Sequence, residues 1–330
     1  MSDVVLREIE SLGCAVLAGE SMENHTTFKI GGPADYLVSV TNNEQLSGLS
    51  EYVKANGLTL RIIGNGSNLL VSDGGLRGVT AKLDGDFLGM LPLSQATSPS
   101  GRGTDAAANV GAITNRPQET LPPQEATICV GAGAALSAAC NFALGHSLTG
   151  MEFAFGIPGT VGGAVYMNAG AYGGEMKNIV TSVECFSRED NKIITISGKE
   201  CDFLYRHSAF MHNGLIILRA FIQLSHGDPN EIRAEMERIF GLRRDKQPLE
   251  YPSAGSVFRR PPGYFAGTLI EQGGLKGARI GGAQVSEKHA GFIVNKGGAT
   301  CRDVLDLIAH VQRTVKDNSG VDLECEIKAI

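Results

Sequence analysis

No stretch of the 330 residues approaches the roughly 20 consecutive apolar residues of a membrane-spanning helix. The N-terminus, MSDVVLREIESLG, also lacks the basic start and unbroken apolar segment of a secretory signal. It carries Asp3, Glu8 and Glu10 and reads as an amphipathic helix. Positive charge is in short supply, since 29 Lys and Arg against 35 Asp and Glu leave a formal net charge of -6. A whole-protein cationic field that would draw in nucleic acid or an anionic membrane is therefore missing, and neither is expected as a partner. The seven cysteines (Cys14, Cys129, Cys140, Cys185, Cys201, Cys301, Cys325) contain no Cys-x-x-Cys pair. Their odd number and wide scatter argue against a disulfide framework or a zinc site, and reduced thiols point to the cytoplasm. The seven histidines form no HExxH or closely spaced ligand cluster, so no metal is expected. No internal repeat of fixed period is visible.

What is present is enough apolar residue, 42%, to build one large core or two to three smaller ones. Glycine is the unusual component: 43 of 330 residues, almost twice the usual share of about 7%, without a collagen period. Many places in this backbone therefore need positive φ or close approach to something.

Residues 35–72 read as a β-α-β unit. Tyr36-Leu37-Val38 leads to a helix whose Leu46, Leu49, Tyr52 and Val53 share one face. Thr41-x-x-Glu44 is a capping box before it, Gly57 is placed to end it, and the strand-like Leu60 to Ile63 follows. From 86 to 125 the sequence is rich in Ser, Thr, Pro, Ala and Gly, which predicts a disordered insertion. Strands are expected at Ala126–Val130, Val180–Phe186, Lys192–Ile196 and Ile216–Leu224, with a small-residue helix over Leu136–Leu144. A helix over Pro229–Arg244, with Ile232, Met236, Ile239 and Phe240 apolar, precedes a Pro- and Gly-dense segment from Gln247 to Gly298. The last helix opens with the capping pair Thr300 and Asp303, and an alternating strand runs from Val321 to Ile330.

Gly64-Asn65-Gly66-Ser67-Asn68 sits at a strand end, where glycines let several backbone amides turn toward one point, as a pyrophosphate requires. The third glycine of G-x-G-x-x-G is missing, so the Rossmann fingerprint does not apply. A tight structural turn and a phosphate loop both remain open for these five residues. The run from Phe155 to Glu175 is glycine-rich yet threaded with Phe155, Ile157, Val161, Val165 and Tyr166. A packed glycine-rich stretch favours a large ligand lying against backbone over a purely structural loop.

Seven motifs in order carry a family resemblance. They are His25-Thr26-Thr27-Phe28-Lys29-Ile30-Gly31-Gly32-Pro33-Ala34, the Gly64–Asn68 loop, Leu148 to Phe153, the Gly156–Gly174 run, Tyr205-Arg206-His207-Ser208, Gly255-Ser256-Val257-Phe258, and Glu324-Cys325-Glu326-Ile327. In this order, and over nearly the whole chain, they closely resemble the UDP-N-acetylenolpyruvoylglucosamine reductases. The resemblance implies an α+β protein with the vanillyl-alcohol-oxidase (PCMH-type) FAD-binding fold. Two α/β subdomains (1–85 and 126–225) would surround a non-covalent FAD, a C-terminal α+β substrate domain would span 226–320, and a terminal strand, 321–330, would return toward the flavin. It also implies NADPH and one small-molecule substrate, UDP-N-acetylglucosamine enolpyruvate, as partners; a monomer is expected.

By the same resemblance, hydride passes from NADPH through FAD to the substrate's methylene carbon. The negative charge left on the neighbouring carbon and its carboxylate needs a proton donor and enolate-stabilising groups. Ser256 matches the donor, and Arg206 and Glu326 match the pair that polarises the substrate carboxylate. Without the family, Ser256 reads as a turn residue, Arg206 as a surface charge and Glu326 as a water-facing strand residue. The implied FAD contacts are Gly64, Asn65, Gly66, Ser67, Asn68, Gly150, Gly156, Ile157, Pro158, Gly159, Thr160, Gly162, Gly163, Asn168, Ala169 and Gly170. Lys246 aligns with a basic residue near the nucleotide diphosphate, while Arg243 and Arg244 read as a solvated face. His289 and Asn295 are placed to touch the sugar or uridine. The passage from Ser256 to Gly291 is too short for the tyrosine-bearing loop of the family's longer form. The rival reading is another FAD-dependent oxidoreductase of this fold acting on an alcohol or hydroxy acid.

Overall fold

The computed structural model describes residues 2–93 and 125–330. Helix α1 (Ser2–Ser11) leads into a four-stranded sheet built from β1 (Ala15–Ser21), β2 (Pro33–Val40), β3 (Leu60–Ile63) and β5 (Leu76–Leu83), in the order β1-β2-β5-β3. Helix α2 (Asn43–Ala55) makes the crossover from β2 to β3. Its cap lies one residue later than the sequence suggests: Asn42 Oδ1 accepts from the Gln45 amide at 2.9 Å, and Gln45 Oε1 takes the Thr41 amide at 2.8 Å. β2 and β5 are nearly continuously buried, as parallel strands covered on both faces should be. The short β4 (Leu69–Leu70) lies apart from this sheet.

The second sheet contains β6 (Met90–Leu93), β7 (Glu125–Gly131), β8 (Leu148–Thr149), β11 (Val180–Ser187), β12 (Lys192–Ser197) and β13 (Ile216–His226). Its order is β12-β11-β13-β7-β6, with β8 on β13, and every pairing is antiparallel. Residues 86–93 thus belong to the fold, since Gly85–Leu88 makes a 3₁₀ turn and Met90–Leu93 pairs with β7. The strip Leu91↔Cys129 and Leu93↔Thr127 supplies ordered backbone pairing where low hydrophobicity alone predicts none. The remainder of the expected insertion, 94–124, lies outside the described residues. Helix α3 (Leu136–Gly145), the short α4 (Val161–Tyr166) and the hairpin β9 (Gly170–Ala171) with β10 (Gly174–Glu175) pack on this unit.

Helix α5 (Pro229–Lys246) starts with Asp228 as cap and Pro229 in its first turn. It buries Ile232 and Met236 in the core shared by both sheets, so it belongs with the second unit and not with the substrate domain predicted to begin at 226. Phe240, expected on the buried face, is 42% exposed. The third unit begins after α5 and contains α6 (Ala266–Gln272), the small sheet β14 (Arg279–Ile280), β15 (Ala283–Val285) and β16 (Ile293–Asn295), and α7 (Cys301–Ser319). The Thr300–Asp303 capping box opens α7 as its sequence predicts, and the left-handed Gly320 ends it. The core of this unit also takes in Phe28, Ile30 and Leu70 from the first unit.

Only Lys328–Ala329 of the expected terminal strand is regular (β17), pairing in parallel with β4. Leu323 is instead held by α7, whose Gln312 Nε2 donates to its carbonyl at 2.8 Å. The chain end therefore runs back beside the Gly64–Asn68 loop, where the Lys328 amide donates to Asn68 O at 2.9 Å. Among the described residues no helix is long and apolar enough to cross a membrane, and no group of three metal-ligating side chains forms. All seven cysteines are free.

Candidate active site

Two glycine loops from different units meet. Gly64 leaves β3 so close to Thr160 that an added Cβ would lie 2.5 Å from Thr160 Oγ1. Asn65 Nδ2 donates to Pro158 O at 3.4 Å, and a Cβ on Gly159 would lie 3.5 Å from Ser67 Oγ. Gly66 is left-handed at φ 64°, and a Cβ there would come within 2.3 Å of His25 O. The facing loop is shaped by Gly156 at φ 83° and by the Leu136 amide, which donates to Gly159 O at 3.0 Å.

Among the described residues, the main-chain amides of Asn65, Gly66, Ser67, Gly159 and Thr160 find no acceptor. Five donors unpaired on two touching loops form the cradle that an anionic dinucleotide needs. Beside Asn65, a cleft of about 430 Å³ runs past Leu83, Asp84 and Gly133. Leu83 ends parallel strand β5, so this cleft opens at the carboxyl end of the parallel strands, where ligands of α/β sheets sit. Five free amides with an adjoining cleft fit a flavin dinucleotide.

Several predicted cofactor contacts also hold local structure. The Gly150 amide donates to Glu152 Oε2 at 2.8 Å, and Thr149 Oγ1 donates to the same carboxylate. Asn168 is fully buried; its Nδ2 donates to Glu175 Oε2 and Leu204 O, and its Oδ1 accepts from the Lys177 amide. Gly162 donates to Ala132 O at 2.8 Å and Gly163 to the capping Thr160 Oγ1 at 3.2 Å, while the Ala169 amide returns to Ala164 O. These residues build the support of the cradle. Ile157 and Pro158 remain on its wall.

Of the three predicted catalytic residues, Arg206 and Glu326 are in contact, and Ser256 lies on a neighbouring segment of chain. Arg206 Nε donates to Glu326 Oε1 at 2.6 Å, and Arg206 Nη2 donates to Gly170 O at 3.1 Å. The pair is mostly shielded, with side-chain exposures of 22% and 13%. Arg206 holds φ at 52°, a left-handed value that a non-glycine residue adopts at a cost and that clusters at functional sites. The Glu326 amide donates to Val257 O at 2.7 Å, which sets Ser256 one residue from that rung. Ser256 Oγ has only a 3.5 Å approach to Phe258 O, too long to occupy the hydroxyl. Asn68 joins this group to the cradle by donating to Glu326 O at 3.2 Å.

His289 belongs on the same side. Its ring and Ser256 Oγ both flank Gly291, at 3.0 Å and 3.4 Å from where a Cβ would stand. Burial, followed by the charges of Lys276 and Lys246, holds its imidazole below the ordinary value despite an opposing backbone hydrogen bond. Nδ1 accepts from the Gly291 amide at 3.1 Å, which fixes the neutral tautomer with its proton on Nε2. Lys246 is exposed at the end of α5.

Asn295 has structural partners of its own. It is 7% exposed, donates to Phe28 O and Lys29 O at 3.2 Å each, and accepts from the Gly297 and Ala299 amides. It ties the third unit to the first, and Asn295→Leu should therefore destabilise the fold by about 2–4 kcal/mol. Thermal melting with parallel kinetics checks this: a lowered midpoint with an unchanged substrate KM is expected, whereas a raised KM at constant midpoint would restore the ligand role.

Sequence reasoning missed Tyr205 and Arg260 at the site's rim, where the Arg260 amide donates to Tyr205 Oη at 3.4 Å and the Arg206 guanidinium lies 5.1 Å from the Tyr205 ring. It also placed Arg243 in solvent. Arg243 is 5% exposed and donates to Phe155 O and Phe153 O at 3.0 Å each. Its signal was present, because residue 243 continues the stripe of Ile232, Met236 and Ile239 at helical spacing.

Two families match the chain: the FAD binding domain over residues 34–197, and the C-terminal domain of UDP-N-acetylenolpyruvoylglucosamine reductase over residues 247–330. The UDP-N-acetylenolpyruvoylglucosamine reductase of Caldanaerobacter subterraneus subsp. tengcongensis is 47% identical, covering 98% of this chain and 96% of that protein. Its counterpart from Lachnoclostridium phytofermentans is 42% identical over 100% of this chain and 98% of its own length. The crystal structure of UDP-N-acetylenolpyruvylglucosamine reductase from Thermus caldophilus matches with a TM-score of 0.73 at 33% identity, covering 96% of this chain and 98% of that one. These matches agree with the expected α+β, FAD-binding fold.

Proposed function

The chain belongs to the UDP-N-acetylenolpyruvoylglucosamine reductase family, and from that premise we propose how its residues carry out the reaction. The enzyme reduces UDP-N-acetylglucosamine enolpyruvate to UDP-N-acetylmuramate, a step of peptidoglycan synthesis, with FAD as cofactor and NADPH as reductant. FAD, when bound, would supply the two-electron chemistry that couples NADPH to reduction of the substrate's double bond. The free amides of Asn65 to Ser67 and of Gly159 and Thr160 would hold its diphosphate.

Once hydride reaches the methylene carbon, negative charge spreads from the adjacent carbon into the carboxylate. Arg206 has committed Nε to Glu326 and Nη2 to Gly170 O, which leaves Nη1 to meet that carboxylate. Glu326 orients the guanidinium, and its own charge is compensated by it, so the pair preorganises one donor edge. Ser256 then gives its proton to the carbon, completing addition of one hydride and one proton across the double bond. A serine is a poor acid in water, so this role requires the shielded setting that Val257, Phe258 and Phe292 provide around it. His289, with a proton on Nε2, and Lys246 would meet the polar part of the nucleotide-sugar in this reading. A monomer in the cytoplasm, where seven free cysteines stay reduced, completes the proposal.

The observation that carries this assignment of roles is the 2.6 Å Arg206–Glu326 bond one rung from an uncommitted Ser256 hydroxyl. Its test is a two-stage anaerobic experiment. NADPH should bleach the flavin, and the enolpyruvyl nucleotide-sugar should restore the colour while gaining two hydrogens by mass. An alcohol or hydroxy acid that bleaches the oxidised enzyme, with no response to the nucleotide-sugar, would favour the rival oxidase reading.

A further inference from the structure

Arg243 is a buried cation with no carboxylate within ion-pair distance among the described residues, and burial holds its guanidinium below the ordinary arginine value. Burying a charge costs stability unless its donors are satisfied, so its partners indicate what its place in the fold secures. Nε and Nη2 each donate at 3.0 Å, to Phe155 O and Phe153 O, two carbonyls on either side of the turn that enters the second glycine loop. Its Cδ stands 3.0 Å from where a Cβ on left-handed Gly156 would be, and Phe240 closes the same spot at 3.0 Å. The guanidinium also lies 5.0 Å from the ring centroid of Tyr172, at the tip of the β9–β10 hairpin. That hairpin carries Gly170, whose carbonyl anchors Arg206.

One side chain on α5 therefore touches two separate pieces of the site. The segment 153–156 leads directly into Pro158 and Gly159, which face Asn65 and Ser67. The hairpin leads into the anchor of the catalytic pair. We infer that Arg243 is a positioning residue: its planar fork sets the spacing between the flavin-holding loop 156–160 and the hairpin that aims Arg206. A lysine cannot reproduce this, because one ammonium lacks the two parallel donors that span Phe153 O and Phe155 O. The inference rests on the flavin reading of the two glycine loops.

The test compares the unaltered chain with Arg243→Lys, Arg243→Met and Arg243→Ala, each stripped of flavin and titrated with FAD, with the melting of the flavin-free form recorded alongside. Both Arg243→Lys and Arg243→Met should raise the FAD Kd about ten- to a hundredfold, the effect of losing charge-assisted hydrogen bonds that fix the loop. Guanidinium added to Arg243→Ala at concentrations too low to denature should recover part of the FAD affinity, whereas an equal concentration of ammonium should not. An FAD Kd within about twofold of the parent in all three variants would overturn the inference. So would an affinity loss that follows the fall in flavin-free melting temperature and is restored equally by ammonium. A parent chain that takes up no FAD would overturn both this inference and the flavin reading, while a parent that binds FAD but ignores the enolpyruvyl nucleotide-sugar would count only against the proposed reaction.

Discussion

Ser256→Ala should leave NADPH-driven reduction of bound FAD at the parent rate and slow reoxidation by the enolpyruvyl nucleotide-sugar by about 10²–10⁴-fold, the usual weight of a positioned proton donor. The asymmetry follows from geometry. Ser256 pairs through its backbone with Phe292, and Val257 pairs through its carbonyl with the Glu326 amide, so the segment is fixed by main chain and the hydroxyl is spare. Removing Oγ deletes a proton source without moving Arg206, Glu326 or the glycine cradle. Stopped-flow absorbance of the two half-reactions reads this directly. Equal slowing of both would show that Ser256 supports the flavin site as a whole and does not deliver the proton.

Gly66→Ala should cost most of the FAD affinity, a rise in Kd on the order of a hundredfold or more, because two penalties fall on one atom. The residue is left-handed at φ 64°, and the new Cβ would lie 2.3 Å from His25 O and 2.8 Å from Thr26 Cα. Both neighbours are backbone, so the loop itself must shift, and the free amides of Asn65 to Ser67 shift with it. Gly214→Ala is the matched control, left-handed at φ 69° but with open space around the added atom. It should lose about 1 kcal/mol or so of stability through the backbone alone and keep its flavin. Comparable FAD affinity in both variants would mean that the close approach at Gly66 serves folding and not the cofactor.

The sequence made local features legible and hid those that depend on distant partners. The Thr300–Asp303 box opens α7 as read, because a cap is a contact between residues three apart. At α2 the signal was ambiguous: Thr41 and Asn42 are both competent caps, with Glu44 and Gln45 three residues behind them, and the structure takes the second frame. β5 escaped notice because it is inserted between β2 and β3, a pairing decided by nonlocal registry. β6 was hidden for the same reason, being a strand only by virtue of its partner β7. Phe28, Ile30 and Leu70 looked like part of the first unit yet complete the core of the third.

At the site, motif order put forward Arg206, Ser256 and Glu326 for the proposed roles, which nothing in their individual settings would single out. Asn168 and Asn295 have structural partners that the motifs do not reveal, for a common reason. A buried polar residue in a motif can be retained for the main-chain groups it satisfies, and only coordinates show that all its donors and acceptors are taken. Arg243 shows the opposite error, since charge suggested solvent while helical spacing placed it with Ile239 and Met236.

Equilibrium titration of the flavin-free, folded protein with FAD, followed by absorbance and by quenching of flavin fluorescence, reaches the heart of the matter. Two glycine loops offering five free amides should take up one FAD per chain, reversibly, with the flavin lost on denaturation. A chain that stays folded throughout and binds no FAD would contradict the cradle, and with it the roles given to Arg206, Ser256 and Glu326.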